Sequence, residues 1–178
     1  MRQPVVSRGG MPQQESSHDP GLPKQLKAVG IDQKLNAQLP LDAQFFDAEG
    51  KQVKLGDFFT GKPVVFAFAY YTCPMLCGQV LQGITGSLKG LSFDVGNEFD
   101  VVVVSFNPLD SQKQTLKAQH TYQHRYGRPG TEKGWHFLYG DTTSIARVTE
   151  AAGFRYEWDE MSKQYAHGSA MMIVTPEG

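Results

Sequence analysis

The run Val64-Val65-Phe66-Ala67-Phe68-Ala69-Tyr70-Tyr71, followed after Thr72 by Cys73-Pro74-Met75-Leu76-Cys77, constrains this chain more than any other segment. An unbroken apolar run of that length reads as a buried strand. Pro74 suits the first position of a helix, where a missing N–H costs nothing and φ is already set. The segment therefore predicts a strand over 64–71, a tight turn, and a helix from Pro74 to about Lys89, ended near Gly90. Cys73 then caps the helix and Cys77 lies one turn inside it, with both sulfurs on one side and in reach of a shared metal ion or a disulfide. Cys77, Val80, Leu81, Ile84 and Leu88 share one apolar face of that helix. These are the only cysteines in the chain. Two small buried apolar side chains would look the same in composition. Position favours chemistry instead, because a cysteine at a helix N-terminus feels the positive end of the dipole and tends towards thiolate.

Alternation of strands and helices continues along the chain. Phe45-Phe46 and Gln52-Val53-Lys54 read as a hairpin turning at Glu49-Gly50, and Asp57-Phe58-Phe59 as one helical turn. Phe99 to Phe106 is a second buried strand, Gln112 to Tyr126 a polar helix with Leu116 and Tyr122 inward, and Trp135 to Tyr139 a third strand. Asp141 or Thr142 caps a helix running to Ala152, with Ile145 and Val148 on its inner face. Phe154 to Trp158 and Tyr165 to Thr175 complete the pattern as two strands around a turn at Asp159 to Lys163. This order predicts an α/β domain, a central mixed sheet with helices on both faces and an N-terminal hairpin.

Residues 1–38 read as a tail, rich in Pro, Gln, Ser and Gly at least to Pro23, and largely disordered. Residues 39–178 form the domain. Thr175-Pro176-Glu177-Gly178 reads as the start of a turn, so a further strand and a closing helix are expected after it, and the chain reads as truncated. Net charge is −1 with Lys and Arg scattered, which gives no basic surface for nucleic acid. No apolar stretch is long enough to cross a membrane, and no signal peptide is visible.

His167, in Tyr165-Ala166-His167-Gly168-Ser169-Ala170, is the second candidate site residue, placed before an apolar strand where Gly168 permits close approach. Two thiolates and one imidazole form a soft donor set suited to copper, since zinc usually takes a fourth ligand. Tyr70 and Tyr71 are placed to wall the pocket, and Met75 to shield it. His18 lies in the tail, His120 and His124 sit one turn apart on a polar helix as a solvated face, and His136 lies in a strand as a structural residue.

The cysteine motif after an aromatic strand end, Ser105-Phe106-Asn107-Pro108-Leu109-Asp110 after a valine-rich strand, Tyr165-Ala166-His167, and Thr175-Pro176-Glu177-Gly178 together resemble the Sco/SenC family over roughly Leu39 to Gly178. The resemblance implies a thioredoxin-like fold, periplasmic exposure or a place on the outer face of the inner membrane, and one copper ion, Cu(I) or Cu(II), on Cys73, Cys77 and His167. It also implies delivery of copper to the dinuclear copper site of cytochrome c oxidase subunit II, or reduction of that site's cysteines, with a copper donor protein and a thiol reductant as further partners. Membrane association would run only through a segment not found in this chain.

An assembly factor rather than a turnover enzyme is the reading this favours. The alternative is a thiol-disulfide oxidoreductase with Cys73 attacking and Cys77 resolving, and a thioredoxin-like interaction module with a structural disulfide is the blandest reading. The peroxidase form of the fold is disfavoured, because its Thr lies three residues before the reactive cysteine and here Thr72 is adjacent. Asn107 departs from the family's Asp before Pro; Asp110 is available to substitute for it or to cap the helix at 112.

Overall fold

A computed structural model describes residues 28–73 and 76–178. In chain order its elements are β1 (Gly30–Ile31), β2 (Gln44–Phe46), β3 (Gln52–Lys54), β4 (Val64–Ala69), α1 (Leu76–Lys89), β5 (Asp100–Ser105), α2 (Gln112–Tyr126), β6 (Trp135–Leu138), α3 (Thr142–Ala151), β7 (Phe154–Asp159), β8 (Gln164–His167) and β9 (Met171–Val174). The central sheet has the order β6-β5-β4-β9; β4, β5 and β6 run parallel and β9 antiparallel to them. Every residue of β4 and β5 is buried, which is why both strands read as continuous apolar runs rather than as alternating ones. Each valine so buried contributes about 1.5–3 kcal/mol.

Both faces of this sheet are covered. On one, Phe137 of β6 stacks on Tyr122 of α2 at 6.0 Å. On the other, Phe68 stacks on Phe154 of β7 at 4.7 Å, and Phe66 meets Phe68 edge-on. β7 belongs to a second sheet of order β1-β7-β8, and β2 and β3 form the expected hairpin, with Gly50 at φ +81 closing its turn. The helix at 112–126 has the predicted bounds. Ser111 and Gln114 exchange capping bonds at its start, and Gly127 ends it at φ 68. Its buried face is Thr115, Ala118, Tyr122 and Tyr126, with Leu116 at the margin.

Three expectations meet a different arrangement. The strand anticipated over 64–71 ends at Ala69, because the Tyr71 N–H leaves the ladder to bond the Asp110 carboxylate at 2.7 Å. The run from Tyr165 to Thr175 is two strands, not one. β8 pairs with β7, β9 pairs with β4, and Gly168-Ser169-Ala170 carries the chain from one sheet to the other. Of the expected tail, residues 1–27 lie outside the described residues. Within 28–38, Gly30 and Ile31 pair with Arg155 and Phe154 as β1, and Asp32 forms an ion pair with Arg155 at 2.9 Å.

Gly153, at φ +69 between α3 and β7, fixes that last contact. The Asp32 N–H donates to its carbonyl at 2.8 Å, and a Cβ at Gly153 would lie 2.0 Å from the Asp32 carbonyl oxygen. Both the left-handed φ and the backbone contact must yield in Gly153→Ala, so stability should fall by about 2–4 kcal/mol. Denaturant unfolding measures this, and a loss under about 0.5 kcal/mol would show that the segment around Asp32 is not held there.

Candidate metal centre

Three segments meet at the carboxyl end of β4. The chain leaves β4 through Tyr70, Tyr71 and Thr72, and the Cys73 N–H closes a turn onto the Tyr70 carbonyl at 3.2 Å. α1 then carries Cys77 on the same face as Leu81, Ile84 and Leu88, so the cysteine is drawn into the core and is 2% exposed. Cys73 is half-buried. Its Sγ accepts the Cys77 N–H at 3.5 Å, a sulfur taking the place of a capping oxygen in the first turn. The Sγ of Cys77 accepts the Tyr70 N–H at 3.4 Å.

His167 arrives from the far side. The register of β9 on β4 ends at Ala67↔Met171, so residues 168–170 must cross the carboxyl end of β4, and His167 is the last residue of β8 before that crossing. Its Nε2 lies 3.3 Å from the Cys77 Sγ, and the three donor atoms of Cys73, Cys77 and His167 are all within 4.8 Å of one another. The Nδ1 sits 2.7 Å from the Gly168 carbonyl oxygen, which can only accept, so in the neutral ring Nδ1 carries the hydrogen and Nε2 faces the sulfur with a bare lone pair. Phe106 at 5.0 Å, Tyr70 at 5.9 Å and Phe154 at 6.4 Å hold the ring's orientation. The close approach anticipated at Gly168 is to the Ile31 side chain, 3.3 Å from where a Cβ would stand.

This donor set fits a soft ion. Thiolate and imidazole bonds of about 2.0–2.3 Å place the donors of a three-coordinate site about 3.5–4 Å apart, a spacing close to the 3.3 Å between Cys77 and His167 and within the 4.8 Å that bounds all three donors. Electrostatics oppose an unliganded charge. Burial pushes the Cys77 thiol far above its ordinary range, and the neighbouring Cys73 and Asp110 push the same way, against the pull of the Tyr70 N–H. Burial, and then Cys73, likewise push the Tyr70 phenol up. A cation bound between the sulfurs reverses this balance by stabilising their thiolates.

Tyr70 and Tyr71 both line a cleft of about 410 Å³ between α1 and α2 that opens beside Cys73. Tyr71 also reaches across the sheet end, its hydroxyl within 2.8 Å of the Leu138 carbonyl and 3.1 Å of the Val103 carbonyl. Asn107 makes an Asx turn, its Oδ1 accepting the Leu109 N–H, and Asp110 bonds the segment before Cys73 rather than capping α2, which Ser111 does. That role for Asp110 was not legible in the sequence; the only signal was an acid set among buried residues after a buried strand. His120 and His124 are exposed on α2 and join no metal-binding group among the described residues. His136 packs on Phe58 at 4.5 Å and is kept neutral by burial, a structural residue as expected. Met75 and His18 lie outside the described residues.

Comparison with known proteins gives a consistent set. The family model described as SCO1/SenC matches residues 32–178. A search of curated proteins returned no match. Among solved structures, Arabidopsis thaliana ScoI with copper bound is 20% identical with a TM-score of 0.60, over 75% of this chain and 80% of that one. BsSco, described as a member of the Sco family of cytochrome c oxidase assembly proteins with a disulfide switch, is 22% identical with a TM-score of 0.62, over 83% of each chain. A SCO1/SenC family lipoprotein from Bacillus anthracis is 21% identical with a TM-score of 0.58, over 83% of this chain and 90% of that one. The shared architecture is the thioredoxin-like fold.

The raised Cys77 thiol carries a pH signature. Its unfolded value is about 8.5 and its folded value is higher, so the neutral thiol's contribution to stability is complete below about pH 8.5 and is lost as pH rises past it, at up to about 1.4 kcal/mol per pH unit. In reduced, metal-free protein the stability difference between wild type and Cys77→Ser should therefore narrow from pH 8 to pH 10. Parallel stability curves across that window would contradict the burial of a protonated thiol.

Proposed function

The chain belongs to the SCO1/SenC family, and on that premise we propose that it binds one copper ion, as Cu(I) or Cu(II), through Cys73, Cys77 and His167, and serves assembly of the dinuclear copper site of cytochrome c oxidase subunit II. The observation that carries this reading is the convergence of two sulfurs and a bare imidazole nitrogen from three separate segments within 4.8 Å. Copper is the cargo. The thiolates fix Cu(I), and the imidazole extends the site to Cu(II). Copper on the solved Arabidopsis relative and the oxidase-assembly role given for BsSco support the same reading.

Placement of the two cysteines fits transfer. Cys77 is buried and held by the Tyr70 N–H, whereas Cys73 stands half-buried at the mouth of the cleft, the donor an incoming partner ligand meets first. We place the protein on the outer face of the inner membrane or in the periplasm, a location supported by the lipoprotein relative. Among the described residues, no helix is long and apolar enough to cross a membrane.

The same difference in exposure favours a second activity. The Cys73 thiolate attacks a partner disulfide, releasing one partner thiolate and forming a mixed disulfide. Cys77 then attacks the Cys73 sulfur and releases the second. Two electrons pass to the partner, and an external thiol reductant must reopen the Cys73–Cys77 bond before copper binds again.

Copper titration of the reduced protein with metal analysis tests the reading. Wild type should hold one copper per chain, and Cys73→Ser or Cys77→Ser should weaken it by at least about a hundredfold. His167→Ala should retain Cu(I) on the thiolates and lose most Cu(II) affinity. Full stoichiometry at unchanged affinity in Cys73→Ser would overturn the assignment.

A further inference from the structure

Asp110 is 5% exposed, and among the described residues no lysine, arginine or histidine forms an ion pair with it. Its carboxylate instead accepts from the Tyr71 N–H at 2.7 Å, the Ser105 hydroxyl at 2.6 Å, the Thr72 hydroxyl at 3.2 Å and the Asn107 amide at 3.4 Å. These donors come from two segments: the end of β5 with its following turn, and the two residues immediately before Cys73. All four donors are neutral, so the carboxylate has no countercharge among its bonded partners. Such an arrangement sets this carboxylate at the base of the loop that presents Cys73, bonded to the two residues immediately before it.

Asn107 sharpens the point. Its Nδ2 donates to Asp110, and its Oδ1 is occupied by the Leu109 N–H. A second acid at 107 would face the first across a few ångströms; the amide accommodates Asp110 instead. We propose that Asp110 is a positioning residue that clamps Tyr71-Thr72, and through them Cys73, onto the end of β5, and that it supplies the fixed anion which favours Cu(II) over Cu(I) in the centre. The charge role rests on the copper reading above; the clamp does not. A fixed anion stabilises the more highly charged ion, and it does so strongly where water is excluded.

Two variants separate the two roles. Asp110→Asn removes the charge but leaves an Oδ1 for the Tyr71 and Ser105 donors; Asp110→Ala removes both. In metal-free protein, hydrogen exchange at the Tyr71 amide should be slow in wild type and Asp110→Asn, and at least tenfold faster in Asp110→Ala. If Asp110→Ala does not fold, protection of the Tyr71 amide in wild type decides the clamp by itself, and a fully exchanging amide overturns it. In copper-loaded protein, Asp110→Asn should still bind one copper, with Cu(II) affinity falling about tenfold relative to Cu(I), which raises the Cu(II)/Cu(I) midpoint by about 59 mV. An unchanged midpoint overturns the charge role. A wild type that takes up no copper overturns the copper reading and the charge role together, while exchange at Tyr71 still decides the clamp.

Discussion

The pairing of β4 with two different neighbours is the constraint from which the site follows. β5 lies parallel on one edge and delivers Phe106 beside Tyr70, so the strand ends stay level. β9 lies antiparallel on the other, in a register that stops at Ala67↔Met171. The chain must therefore enter β9 by passing over the carboxyl end of β4, where the cysteine loop begins. His167 has no freedom to be elsewhere, since β8 is tied to β7, β9 is tied to β4, and only Gly168, Ser169 and Ala170 join them. The ring's neighbours, Phe106, Tyr70 and Phe154, come from three separate parts of the chain, so its orientation is a property of the packed fold.

Polar groups in so apolar a setting must be satisfied individually. Backbone N–H groups reach both sulfurs, the Gly168 carbonyl takes the Nδ1 hydrogen of His167, and Asp110 gathers its donors around the turn that follows β4. Each bond fixes a direction as well as lowering an energy. Burial of Cys77 favours its protonated thiol while the geometry collects donors for a cation, so a metal ion must displace that proton to bind the pair.

Much of this was legible in the residues. Continuous apolar runs identified β4 and β5, because parallel strands covered on both faces leave no polar alternation. The bounds of α2 and the Asp141 cap of α3 were readable from the residues, because they rest on local interactions. The cysteine spacing and His167 were visible as chemistry before they were visible as a cluster. What was hidden depends on distant partners. The apolar character of Tyr165 to Thr175 continues through a change of sheet that contains no proline and no charge. β1 is a two-residue strand that exists only because Phe154 and Arg155 are there to pair with it. Asp110 looked like a helix cap, because nothing local reveals that Tyr71 and Thr72, almost forty positions earlier, turn towards it.

The central claim is that two sulfurs and one nitrogen, brought together by the fold, form a single copper centre. X-ray absorption at the copper edge of the loaded, reduced protein tests it most directly, because it counts and identifies the donors. The account predicts a first shell of two sulfurs and one imidazole nitrogen in the wild type, with the nitrogen shell lost and both sulfurs retained in His167→Ala. A shell of sulfur alone in the wild type, or one that His167→Ala leaves unaltered, would contradict it.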